Sequence, residues 1–168
     1  MKITLITVGK IKERYLRDAI EEYSKRLQKY VKLEIIEVAD EKTPEGASPA
    51  LEEQIRAKEG ERILKNLKDG VCVVTLEIGG KMMDSVEFAQ WIDQSGVRGV
   101  SHIQFIIGGS LGLAPEVCAR SNLALSFSRM TFPHQLMRVI LLEQIYRGFR
   151  RLVSFFSTRT LSISSSCF

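Results

Sequence analysis

His102 and His134 are the only imidazoles in the chain, and His134 alone stands among other groups that could do chemistry. It follows Thr131-Phe132-Pro133 at the mouth of a helix and precedes Arg138 by one turn. A histidine can exchange protons near neutral pH, and an arginine can hold an anionic oxygen. Spacing alone also allows His134 a structural or capping role. His102 packs or faces solvent, and neither histidine belongs to a cysteine or carboxylate cluster of ligand spacing, so metal chemistry finds no support.

Three irregular or glycine-bearing segments complete the inventory: Leu76 to Lys81, Gly108 to Gly112, and Phe127 to His134. Each follows an apolar strand. Open α/β sheets bind ligands just beyond the carboxyl ends of their strands, so these segments are the natural walls of one pocket. Gly108-Gly109 suits either a backbone that approaches a ligand closely or an ordinary tight turn. The run Gly108-Gly109-Ser110-Leu111-Gly112 differs from G-x-G-x-x-G, and G-x-x-x-x-G-K-[ST] is missing, which disfavours dinucleotide and P-loop chemistry.

The elements that must position these segments alternate between two periods. Lys2 to Val8 reads as a strand ended by Gly9, and Tyr15, Leu16, Ala19, Ile20, Tyr23 and Leu27 recur at helical spacing. A strand over 31–38 and a polar connector follow, then a charged helix from Pro49 to about Leu67. Residues 71–76 are almost continuously apolar, as in a strand covered on both faces, and Gly79-Gly80 is expected to break it. Asp84-x-x-Glu87 has the form of a capping box opening a helix to about Gly96. Strands over 102–107 and 123–128, a short helix at Pro115 and a long helix over 135–152 finish the set. The alternation predicts an α/β domain with a mostly parallel sheet flanked by helices.

Length and composition agree with one globular domain: 168 residues, 45% hydrophobic and 26% charged. No apolar run reaches the length of about 18 residues that a membrane span needs, and the first residues alternate like a strand, so a cytoplasmic protein without membrane attachment is expected. Cys72, Cys118 and Cys167 form no C-x-x-C pair, and Cys72 reads as core. The net charge of +4 is unevenly placed. From Arg129 onward Arg129, Arg138, Arg147, Arg150, Arg151 and Arg159 face only Glu143, a local +5 that leaves −1 for the first 128 residues. A basic carboxyl-terminal segment on a nearly neutral body is what phosphate contact requires, and a solvated helix face has the same composition.

The motifs Val8-Gly9-Lys10, Lys58-Glu59-Gly60, Thr75-Leu76-Glu77 with Gly80-Lys81, Ile107-Gly108-Gly109-Ser110-x-Gly112, Leu125-Ser126-x-Ser128-x-Met130-Thr131-Phe132-Pro133-His134 and Arg138-Val139-x-Leu141-x-Glu143-Gln144-x-Tyr146-Arg147 occur in order over about residues 1–149. In them the chain resembles the RlmH family of SPOUT methyltransferases. The resemblance implies a SPOUT-type α/β knot, with a single domain over residues 1–152 and a trefoil-knotted part over about 71–152. It also implies S-adenosylmethionine as cofactor, a homodimer, and methylation of N3 of a pseudouridine in 23S rRNA of the ribosome or large subunit. By the same resemblance the cofactor contacts fall on Leu76, Gly108, Phe127, Ser128, Arg129, Met130, Thr131 and Phe132, within the segments chosen above.

Methyl transfer from a sulfonium to an imide nitrogen is an in-line displacement that needs no metal, but the nitrogen must lose its proton. On that reaction His134 is the catalytic residue expected to assist deprotonation. Arg138 is the one expected to hold a phosphate or the developing negative oxygen. RNA phosphates are expected on Arg138, Arg147, Arg150 and Arg151, although Glu143 is spaced to pair with Arg147 along the helix. Two apolar stripes on the last helix, one through Met137, Ile140, Leu141, Ile145 and Phe149 and one through Val139, Leu142 and Tyr146, predict one face for the core and one for a second copy. The chain departs from the family after Phe149. The Tyr-His-basic ending implied by the resemblance is replaced by a serine-rich segment over 153–168, expected to be an unstructured tail that leaves fold and cofactor binding intact; the alternative reading is a catalytically impaired RNA-binding or ribosome-associated protein of the same fold.

Overall fold

The structure is a computed structural model that describes the backbone of residues 1–163 and the side chains of residues 1–153. Five strands, β1 (Lys2–Val8), β2 (Lys32–Val38), β3 (Cys72–Met82), β4 (His102–Ile107) and β5 (Leu123–Ser126), form one sheet in the order β2-β1-β4-β3-β5. Every pairing between them is parallel, which places the carboxyl ends of the strands along one edge.

Parallel strands need helical crossovers, and helices cover both faces. On one side α1 (Arg14–Leu27), α3 (Ser85–Val97) and α5 (His134–Ile163) pack on Ile3, Leu5, Val74, Ile103 and Phe105. On the other, α2 (Pro49–Leu64) and α4 (Pro115–Cys118) bring Ile63 and Val117 onto Ile6, Val8, Val73 and Ile106. Successive strand residues therefore face different cores, the physical meaning of the uninterrupted apolar runs. Burial of Ile3, Val74, Phe105 and Ile106 is essentially complete.

Local chemistry starts the helices where the sequence indicates. Ser48 Oγ accepts the Leu51 amide at 3.3 Å beside Pro49. Asp84 Oδ1 accepts the Val86 and Glu87 amides, both at 2.8 Å, while the Asp84 amide donates to Glu87 Oε2 at 2.8 Å, completing the expected capping box.

Three boundaries differ from expectation. β3 does not stop at Gly79-Gly80; Leu76 and Lys81 both pair with Leu125, so residues 77–80 bulge outward and the strand resumes. Gly80 permits the return, since a Cβ there would stand 2.7 Å from the carbonyl carbon and oxygen of Ala124. β5 ends at Ser126, two residues early, where its chain turns into the site. α5 begins at His134 and continues to Ile163, past Leu152 and into the segment expected as a tail; residues 164–168 lie outside the described residues. The division of the apolar stripes is also different. Leu141, Leu142 and Ile145, drawn from both, are all buried in the chain's own core because α1 and α3 flank α5 on two sides.

Candidate functional site

The three expected segments meet. Beyond the ends of β3, β4 and β5 lies a cavity of about 550 Å³ walled by Leu76, Glu77 and Ile78, by Ile107 to Ser110 with Gly112, and by Leu125 to Ser128 with Met130 to His134, while Met137 from α5 closes one side. Its size is that of a pocket for a small molecule or cofactor, and its walls are mostly backbone and apolar side chain, with Glu77 the one carboxylate.

Each wall has a local cause. Gly112 takes a positive φ of 82°, and the Gly112 amide donates to the Gly109 carbonyl at 3.1 Å, so residues 108–112 form a tight turn. A Cβ on Gly108 would stand 2.8 Å from the backbone carbon and oxygen of Gly112, which makes the turn itself dependent on glycine. On the opposite wall Ser126 Oγ is 2.9 Å from the Ile78 carbonyl and 3.0 Å from the Ser128 carbonyl, tying the β3 bulge to the segment after β5. The Met130 amide donates to Ser128 Oγ at 3.0 Å and bends that segment back toward α5.

Of the residues expected to touch a cofactor, Leu76, Gly108, Phe127, Ser128, Met130, Thr131 and Phe132 line the cavity. Arg129 does not: its side chain is exposed outside the wall. Glu77, Ile78 and Pro133 fall within the segments expected as walls; reasoning from the sequence missed Ile107, Leu125, Ser126 and Met137. The signal for the first three was their position at strand ends, and for Met137 its place one turn into the helix after His134.

His134 and Arg138 are separated by the geometry. His134 lines the cavity, half-buried, at the first turn of α5. Burial pushes its pKa down and the Arg138 charge adds to this, against a smaller opposing pull from Asp40 and Glu13, so the neutral imidazole is favoured. Arg138 points the other way and is 1% exposed. Its Nη1 donates to Glu37 Oε1 at 2.9 Å, and its Nη2 donates to the carbonyls of Val8 at 2.6 Å and Gly9 at 2.8 Å. Those carbonyls lie where β1 leaves the sheet, so the guanidinium satisfies acceptors at the strand end. Among the described residues Arg138 Nε and Thr7 Oγ1 have no hydrogen-bond partner. The expectation that Arg138 meets phosphate or a reacting oxygen is thus not what the geometry provides; it is a clamp between β1, β2 and α5.

A second hollow, of about 480 Å³, lies between α1 and α5 and is lined by Tyr23, Arg26, Glu143, Tyr146, Arg147, Arg150 and Arg151. The Arg26 guanidinium stands 5.5 Å from the Tyr23 ring centre and 5.8 Å from that of Tyr146. Arg147 is paired with Glu143, its Nε donating to Oε1 at 2.9 Å, as the spacing allowed. Arg150 is exposed and has no ion pair among the described residues. In that same set no three His, Cys, Asp or Glu side chains are grouped to hold a metal, and no helix is long and apolar enough to cross a membrane.

Known proteins resemble the chain over nearly its whole length. Ribosomal RNA large subunit methyltransferase H of Bifidobacterium adolescentis is 65% identical over 150 residues, 89% of this chain and 94% of that protein. The protein of the same name from Clostridium beijerinckii is 63% identical with the same coverage. A Legionella pneumophila methyltransferase structure with bound SAM aligns at a TM-score of 0.49 and 12% identity, covering 88% of this chain and 66% of that one. The family described as "Predicted SPOUT methyltransferase" matches residues 1–152, the span that contains the whole sheet and all three walls of the cavity, and the chain belongs to that SPOUT methyltransferase family.

Proposed function

We propose that this chain transfers the methyl group of S-adenosylmethionine to large-subunit ribosomal RNA, at N3 of a pseudouridine in 23S rRNA. The observation that carries this reading is the convergence of the three segments after β3, β4 and β5 on one cavity in a chain of this family. The cavity fits the cofactor by chemistry. Its apolar side chains, Leu76, Phe127 and Phe132, suit the adenine faces, while backbone groups of the turns suit the adenine edge. When bound, S-adenosylmethionine supplies an activated methyl group.

The chain's own residues then have three tasks. The Gly108–Gly112 turn and the Phe127–Phe132 segment hold and orient the cofactor and exclude water from it. His134, neutral at the cavity wall, takes the proton that the imide nitrogen must lose. Arg138, touching neither ligand, keeps the start of α5 against β1 and β2 and so fixes His134. In this reading residues 1–152 form the single catalytic domain, with residues 71–152 forming the knot that the family resemblance implies. The protein acts in the cytoplasm as a homodimer. Leu136, 37% exposed, and the half-buried Val139 and Ile140 on α5 are the apolar contribution to the contact.

Incubation with radiolabelled S-adenosylmethionine and ribosomes that lack the modification tests the reading. Label in a 23S pseudouridine is the expected result, and absence of transfer by a chain that binds the cofactor refutes the substrate. Sedimentation at micromolar concentration tests the dimer, which a monomer mass refutes.

A further inference from the structure

Lys58-Glu59-Gly60 supplies no wall of the cavity, yet Glu59 on α2 is only 5% exposed. Its Oε1 accepts the Glu41 amide at 3.0 Å. Its Oε2 lies 2.8 Å from where a Cβ on Gly109 would stand, and Val8 Cγ1 lies 3.2 Å from the same point. The next residue packs α2 against the chain two residues beyond that turn, since a Cβ on Gly60 would stand 2.7 Å from Ala114 Cβ. Carboxylates are costly to bury. Burial raises the Glu59 pKa, with Asp40 and Glu41 adding to the rise and the Glu41 amide and Arg62 opposing it. Arg62 is itself bonded to the Glu41 carboxylate and, at 2.8 Å, to the Ala39 carbonyl. Packing alone would be served at lower cost by an apolar side chain.

We propose that Glu59 is a positioning residue for the cofactor: its carboxylate braces the Gly108–Gly112 turn from outside the cavity and ties it to the Asp40–Glu41 connector after β2. The inference rests on the reading that the cavity holds S-adenosylmethionine. The absence of a side chain at Gly109 is then the counterpart of the carboxylate, because the two cannot occupy the same space.

Calorimetric titration of S-adenosylmethionine into the full chain, with amide exchange of residues 108–113 measured without cofactor, tests it. Glu59→Ala should weaken binding by about tenfold or more and speed exchange in the turn, while Glu59→Gln, which keeps an acceptor for the Glu41 amide, should stay within about threefold. Gly109→Ala should weaken binding when Glu59 is present, and its added effect should shrink in the Glu59→Ala background, where the opposing oxygen is gone. Near-unchanged affinity of Glu59→Ala, equal losses for Ala and Gln, or strict additivity with Gly109→Ala would each overturn the proposal. Should Glu59→Ala fail to fold, Glu59→Asp, which withdraws the oxygens by one methylene, takes its place under the same criteria. Failure of the unaltered chain to bind S-adenosylmethionine would instead overturn the cofactor reading beneath it.

Discussion

Glu37 Oε1 and Arg138 Nη1 stand 2.9 Å apart, joining the penultimate residue of β2 to the helix that presents His134 one turn earlier. Only the arginine of this pair is buried, so its removal leaves Glu37 to solvent but strips two strand-end carbonyls of their donor and empties the space the side chain fills. Arg138→Ala should therefore destabilise the fold by about 2–3 kcal/mol, with cofactor binding and methyl transfer falling together. Arg138→Lys keeps the charge without the planar fork and should lose less. Urea unfolding and calorimetry on the same samples check both; a stable Ala variant that binds cofactor normally but does not turn over would return Arg138 to direct catalysis.

His134 sets a pH dependence of definite sign. Its folded pKa is depressed, by burial first and by Arg138 second, below the unfolded value of about 6.5. The folded state thus resists a proton that the unfolded state accepts, and stability is lost as pH falls below about 6.5 toward the folded pKa. His102 is shifted in the same direction, by burial and then by Lys2 and Lys68, so the total slope belongs to both. The difference between the unaltered chain and His134→Gln in thermal unfolding from pH 5 to 8 isolates His134. It should vary with pH below about 6.5 and be flat above it. Methyl transfer should keep its activity to a lower pH than an ordinary histidine base would allow, and collapse in the Gln variant.

Adjacent glycines in the β3 bulge should answer differently to one methyl group. Gly80 has Ala124 backbone at 2.7 Å from a built Cβ, whereas Gly79 has nothing within 4 Å. Gly80→Ala must push β3 from β5 and should cost about 1–3 kcal/mol, with loss of cofactor affinity through the displaced Leu76–Ile78 wall. Gly79→Ala should be neutral or stabilising by up to about 1 kcal/mol through the unfolded chain. Equal melting temperatures for the two variants would contradict the bulge geometry.

How much of this was legible in the sequence depended on range. Local chemistry reads well: Asp84 and Glu87 cap as spaced, Pro49 opens its helix, and the three glycine-bearing or irregular segments reach one cavity because parallel strands must end on one edge. Gly79-Gly80 was misread as a terminator since the need for Gly80 lies on a strand more than forty residues away, at Ala124. Arg138 was misread for the same reason. An arginine beside a pocket histidine reads as exposed, and nothing near it in sequence announces Glu37 or the carbonyls of Val8 and Gly9. The stripes of α5 show the remaining limit, for periodicity identifies an apolar face but not whether the chain's own α1 and α3 already cover two of them.

Among Arg138, Arg147 and Arg150, all expected to meet RNA, the geometry ranks Arg150 first. Arg138 is enclosed, and Arg147 is held by Glu143 on the same helix. Arg150 stands exposed at the rim of the hollow between α1 and α5, where Arg26 lies over two tyrosine rings and adds positive charge. Each phosphate neutralised releases condensed counterions, so a residue that contacts one contributes to the dependence of affinity on salt. Arg150→Ala should weaken ribosome binding modestly and reduce the slope of log affinity against log salt by about 0.7–0.9, while leaving S-adenosylmethionine affinity unchanged. Arg147→Ala should change that slope much less, because its charge is already balanced by Glu143, and its main effect should be on the helix. Binding measured over a series of salt concentrations distinguishes the two. An unchanged slope for Arg150→Ala would remove this face of α5 from the RNA path, and a lowered oligomer mass in the same variant would assign the face to the contact between copies.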